Sequence, residues 1–166
     1  MKSLESFLRP TQKELFAMLR KFYKGKHGLC SKDNFILVEG NVPIMLVAHL
    51  DTVHEKPVKV ICKSNDGNIL MSPQGIGGDD RAGVYALVNA YDMAVKKPYL
   101  LFTCDEEVGG VGAKNFCTAH QLGKLLDELD NLNDFRESII QMVPIDILVQ
   151  GVSIIVARRK INGGNT

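Results

Sequence analysis

Apolar residues recur at near-helical spacing through the first 23 positions, with Leu4, Leu8, Leu15, Leu19 and Phe22 sharing one face. The spacing predicts an amphipathic helix over residues 3–23. Pro10 predicts a break in it, with a restart around Thr11, because proline lacks the amide that a helix interior needs. The period then shortens. Phe35-Ile36-Leu37-Val38 predicts a strand, closed by the turn residues Glu39-Gly40-Asn41. Ile44 to Ala48 is an unbroken apolar run, the pattern of a strand buried on both faces of a sheet. His49 and Asp51 fall just past its expected end.

Further on, Val58 to Cys62 and Ile69 to Met71 flank Asn65-Asp66-Gly67-Asn68, which predicts a hairpin. A glycine-rich loop, Gly75 to Gly78, leads into Asp79-Asp80. Ala82 to Val95 then predicts a helix, small and apolar on one side. Tyr99-Leu100-Leu101-Phe102-Thr103 predicts another buried strand, with Asp105-Glu106-Glu107 after its end. Gly109, Gly110 and Gly112 predict a loop, and Ala113 to Phe116 the start of a helix. Strands alternating with helices predict an α/β fold with helices on the faces of the sheet. In such sheets ligands gather at the carboxyl ends of the strands. Two of the three polar clusters fall there, and the third opens a helix.

Composition narrows the class. At 166 residues the chain suits a single domain, 1–166, with a real core. Apolar residues make up 45% and charged residues 23%, as in ordinary globular proteins. The net charge of +1 gives no reason to expect nucleic acid or an anionic membrane as partner. Met1-Lys2-Ser3-Leu4-Glu5 places an acid where a signal peptide needs apolar residues, and no run approaches the roughly 18 apolar residues of a membrane span. Cys30, Cys62, Cys104 and Cys117 form no C-x-x-C pair and read as free thiols of a reducing compartment. A cytoplasmic location is expected.

The clusters supply one imidazole and several carboxylates, ligands that zinc accepts. His49 and Asp51 are two apart, so in extended chain they point to the same side. A ligating histidine commonly has its second ring nitrogen held by a carboxylate, although a surface histidine beside a turn aspartate has the same sequence. Adjacent Asp79 and Asp80 repel each other and favour a nearby cation, yet they also suit the first turn of a helix. Asp105-Glu106-Glu107 is costly at the end of a core strand unless it is solvated, caps a helix or binds metal. One glutamate of such a pair can hold metal while the other acts as a general base. His54 reads as part of a solvated loop and His27 as part of a basic surface turn. Cys104, ending a buried strand, reads as a packed thiol rather than a ligand.

Three segments together carry a family resemblance. Met45-Leu46-Val47-Ala48-His49-Leu50-Asp51-Thr52-Val53, Gly75-Ile76-Gly77-Gly78-Asp79-Asp80-Arg81-Ala82-Gly83 and Phe102-Thr103-Cys104-Asp105-Glu106-Glu107-Val108-Gly109 resemble the dizinc exopeptidases. These are the co-catalytic zinc aminopeptidases, carboxypeptidases and amidohydrolases of the M20, M28 and M42 type. The likeness runs from about residue 15 to 116, and residues 117–166 diverge. It implies a three-layer αβα sheet of the zinc-exopeptidase (phosphorylase/hydrolase-like) kind with its C-terminal part incomplete. It implies two Zn2+ ions and a peptide or acylated amino acid as substrate. By the same resemblance His49 binds one zinc and Asp51 orients His49. Asp79 bridges the metals, and Asp80 follows it across a peptide bond that is often cis in the family. Glu107 binds the other zinc, and Glu106 is the general base for a water whose pKa zinc lowers to about 7.

After Phe116 the pattern departs. The family adds one more Asp or Glu at the end of the next core strand and a final His much later. Here the next strand candidate is Ser138-Ile139-Ile140-Gln141-Met142, ended by Val143 and Pro144, with Asp146 beyond. Asp127, Glu128 and Asp130 lie in a predicted helix, and no histidine follows His120. Each metal then keeps two protein ligands of the usual three. An unpaired sheet edge in so short a domain favours self-association. Two functions compete: zinc-dependent hydrolysis of peptide or amide bonds, and a non-catalytic, truncated remnant that binds metal weakly or not at all. A third reading, capping acids without any site, leaves the joint pattern unexplained.

Overall fold

A computed structural model of the chain describes residues 3–25, 29–32, 34–42, 44–54, 56–119 and 153–156. Pro10 divides the first helical segment as expected, into α1 (Glu5–Leu8) and α2 (Gln12–Tyr23). Thr11 starts α2 with a reciprocal cap. Its hydroxyl accepts from the Glu14 amide, and the Glu14 carboxylate accepts from the Thr11 amide at 2.9 Å. Leu15, Leu19 and Tyr23, four apart, form the buried stripe of α2. Phe22, placed on that stripe by the spacing, is half-buried and packs at its margin.

Strand β1 (Leu29–Lys32), which no apolar pattern announces, pairs with β2 (Phe35–Val38). Then come β3 (Ile44–His49), β4 (Cys62–Lys63), β5 (Leu70–Met71), α3 (Gly78–Met93), β6 (Tyr99–Thr103), α4 (Val111–Ala119) and β7 (Ser153–Val156). His49 thus closes β3 rather than following it. The expected hairpin forms, but its strands are only Cys62–Lys63 and Leu70–Met71, so Val58 to Ile61 and Ile69 stay outside it. α3 begins four residues before Ala82, although Asp79 and Asp80 keep non-helical backbone angles. It ends at Met93, because Ala94 turns to an extended conformation. β7 lies in the segment read as divergent. The strand candidate 138–142, the acids Asp127, Glu128, Asp130 and Asp146, and His27 and His120 lie outside the described residues.

The main sheet has the order β1-β2-β6-β3-β7. It is mixed: β3 and β6 run parallel, while β1–β2, β2–β6 and β3–β7 pair antiparallel. Helices lie on both faces, which makes the fold α/β. On one face Phe7, Leu19 and Tyr23 meet Val38, Leu46, Ala48 and Phe102 together with Val84 and Leu87 of α3. On the other, Phe116 of α4 packs on Phe35, Leu37 and Leu101. Each fully buried Leu or Phe contributes about 1.5–3 kcal/mol relative to exposure. β3 was expected to be buried on both sides. Leu46 and Ala48 are, under α3, but Met45 and Val47 are half-buried and Ile44 is exposed. The reason is coverage: among the described residues α4 packs on β2 and β6, which leaves that side of β3 open.

None of the four cysteines forms a disulfide. No helix among the described residues is long and apolar enough to cross a membrane.

Candidate metal centre

Parallel pairing puts the carboxyl ends of β3 and β6 side by side, with His49 opposite Thr103. The Leu50 amide donates to the Thr103 carbonyl at 2.7 Å, so the two segments leave the sheet together. That register brings 49–51 beside 104–107.

His49 and Asp51 do point to the same side. His49 Nδ1 lies 3.3 Å from Asp51 Oδ1, near enough for an ion pair though without hydrogen-bond alignment. The other carboxylate oxygen, Oδ2, accepts from the Glu107 amide at 2.9 Å. Burial opposes ionisation of Asp51, but His49 and the Glu107 and Glu106 amides outweigh it and hold the carboxyl at about 2. One aspartate therefore ties the histidine to the glutamate pair.

The Asp79-Asp80 segment arrives from the opposite side. Gly77 turns it at φ 61, where a side chain would be strained and a Cβ would come within 2.9 Å of Thr52 Cγ2. The Asp79–Asp80 peptide bond is cis. Asp79 is exposed and its Oδ1 lies 3.2 Å from His49 Nε2. Asp80 is fully buried, and its Oδ2 accepts from the His49 amide at 3.1 Å. Burial lifts its pKa to about 7 against the pull of His49. Both carboxylates serve His49, and the helix cap position itself, Gly77, makes no side-chain bond. Burial alone would depress the His49 pKa, yet Asp51, Asp80 and Asp79 together raise it to about 9.

Past β6, Asp105 adopts a left-handed conformation at φ 60, one that Asp tolerates better than most residues. The Glu106 carbonyl accepts from the Gly109 and Gly110 amides, closing a turn that leaves both glutamate side chains exposed. Donor atoms of His49, Glu106 and Glu107 lie within 4.8 Å of one another. With Asp79 against the same imidazole, several acids surround one ring, an arrangement that a cation relieves. One borderline nitrogen and hard carboxylate oxygens, those of His49, Glu106 and Glu107, are donor types that zinc accepts.

Two other candidates stay out of the cluster. The His54 ring packs over Gly75, where any Cβ would overlap it. Cys104 is buried, and burial pushes its thiol up to about 12. Asp80, singled out only as the neighbour of Asp79, and Arg81 and Gln12, not singled out at all, also shape the site. Asp80 holds the His49 backbone. Arg81, 3% exposed, donates through Nη1 to the Phe7 and Pro10 carbonyls at 3.0 Å each. Gln12 bonds to Asp105 from 93 positions away. Of Arg81 and Gln12, Arg81 alone left a sequence signal, a cation on the small, apolar opening of a helix. Beside Asp51 a cleft of about 350 Å³ opens between the α1–α2 corner and the loop after His54, with Lys13 and Lys56 at its walls.

No family model matches the chain, and no solved structure matches it. The sequence is similar to a probable carboxypeptidase of Emericella nidulans, 34% identical over 136 residues. The match covers 75% of this chain and 32% of that protein, so the chain spans about a third of the relative.

Proposed function

We propose that this chain carries a co-catalytic zinc centre of the dizinc exopeptidase type, M20-, M28- or M42-like, and that the centre hydrolyses a peptide or amide bond. The similarity to a probable carboxypeptidase supports peptide hydrolysis. The observation that carries the reading is the convergence of His49, Glu106 and Glu107 within 4.8 Å, with Asp51 behind the imidazole and Asp79 against it. In this reading the mixed sheet is the core of a three-layer exopeptidase fold, and the four free thiols fit a cytoplasmic setting.

His49 and Asp79 would hold one ion, and Asp79 and Glu107 the other. Bound zinc supplies Lewis-acid polarisation of the carbonyl and a water pKa near about 7. The chain's own residues do the rest. Asp51 fixes the ring so that Nε2 is the free ligand nitrogen. Asp80 anchors the backbone that carries it. Glu106 takes a proton from the attacking water and returns it to the departing amine. A peptide or an acylated amino acid is the substrate class.

Release of amino acids from dipeptides and N-acyl amino acids, measured with added zinc, tests this. Glu106→Gln should lower the rate by about 10²–10⁴-fold while zinc still binds. Turnover indifferent to Glu106→Gln would overturn the assignment. A second reading, a metal-binding remnant without turnover, draws on the matched stretch being only 32% of the relative. Zinc binding with no hydrolysis of either substrate class would favour it.

A further inference from the structure

The corner between α1 and α2 touches both acidic segments. Arg81, next to Asp80, donates to the Phe7 and Pro10 carbonyls. Two residues past Pro10, Gln12 makes a reciprocal pair with Asp105. Its Nε2 donates to Asp105 Oδ1 at 2.8 Å, and its Oε1 accepts from the Asp105 amide at 3.1 Å. Both bonds are partly buried. The helix that presents Gln12 is itself fixed in the core through Leu15, Leu19 and Tyr23.

Asp105 is the hinge on which the glutamate pair hangs. It is the one non-glycine residue with positive φ among those described, and Glu106 and Glu107 follow it directly. Its carbonyl accepts from the Val111 amide at 3.1 Å, so the peptide groups on both sides of its left-handed turn are engaged. Rotation of Asp105 back to an ordinary conformation would redirect both glutamates. Gln12 bonds the amide and the carboxylate of Asp105 at once.

We propose that Gln12 is a positioning residue for the Glu106–Glu107 pair, acting through Asp105 and not through contact with substrate or metal. The importance of that pair rests on the function proposed above. The positioning itself does not.

Amide hydrogen exchange by NMR on the metal-free full chain tests it, with the Glu107 amide, bonded to Asp51, as reporter. Gln12→Ala removes both bonds. Gln12→Glu keeps the acceptor but sets two carboxylates against each other. Asp105→Asn in the Gln12→Glu background restores a carboxylate–amide pair with its polarity reversed, and Asn tolerates the left-handed turn. Both single variants should speed exchange at Asp105 and Glu107 by about tenfold or more, leaving Leu100 and Phe102 unchanged. The double variant should return exchange to the parent rate. Unchanged Glu107 exchange, no recovery in the double variant, or equal acceleration throughout β6 would each overturn the proposal.

A zinc titration of the same proteins separates the two claims. If the parent binds zinc, Gln12→Glu should weaken it by about 10–100-fold and the double variant should recover it. Affinity equal to the parent in Gln12→Glu would overturn the positioning role. If the parent binds no zinc, the functional reading fails while the exchange data still decide the role of Gln12.

Discussion

Asp51 Oδ1 faces His49 Nδ1 at 3.3 Å, which leaves His49 Nε2 turned toward Asp79. A carboxylate on one ring nitrogen selects the other as the ligand and makes it more basic. Here the same carboxylate also receives the Glu107 amide, so one side chain ties the imidazole to the backbone that carries Glu107. Asp51→Asn keeps the size and loses the charge. It should weaken zinc binding by about 10–100-fold, measured by competition with a chelator. A change below about threefold would remove Asp51 from the orienting role.

Arg81 is a buried cation whose Nη1 alone donates to two carbonyls of the α1–α2 corner. Burial lowers its pKa to about 10, so it stays charged at neutral pH. A lysine ammonium is more strongly hydrated than a guanidinium and costs more to bury. Arg81→Lys should therefore cost about 2 kcal/mol or more, read from urea unfolding. A loss below about 0.5 kcal/mol would mean that the carbonyls find other donors.

The cysteines differ in reach. Cys62 and Cys117 are exposed, and Cys30 is half-buried. Cys104 is buried with its thiol raised to about 12, by burial first and by Asp105 and Asp51 second. At pH 8 it stays a thiol. A thiol reagent should label Cys62 and Cys117 quickly, Cys30 slowly and Cys104 only after denaturant is added. Fast labelling of Cys104 in the folded protein would contradict its place beneath the acidic turn.

The elements with strong local periodicity were legible. The split at Pro10, the strands β2 and β6 and the existence of α3 follow from local spacing, because their burial depends on positions a few residues apart. β1 was not, because Leu29-Cys30-Ser31-Lys32 is held by pairing with β2 rather than by its own pattern. β3 was legible as a strand but not in its burial, since coverage depends on which helices lie over it. At the site, the gathering of His49, Glu106 and Glu107 follows from the neighbouring ends of β3 and β6, and Asp79 reaches His49 from the start of α3. The service residues were hidden. Gln12 meets Asp105 across 93 positions, and no local signal carries a contact of that range.

Calorimetric titration of zinc into the purified full chain, with His49→Ala as control, tests the proposed centre most directly. His49 is the single imidazole of the cluster, and its ring touches Asp51 on one side and Asp79 on the other. The proposed site requires saturable binding, two ions per chain at completion, lost when His49 is replaced. No heat, or weak binding that His49→Ala leaves unchanged, would contradict it.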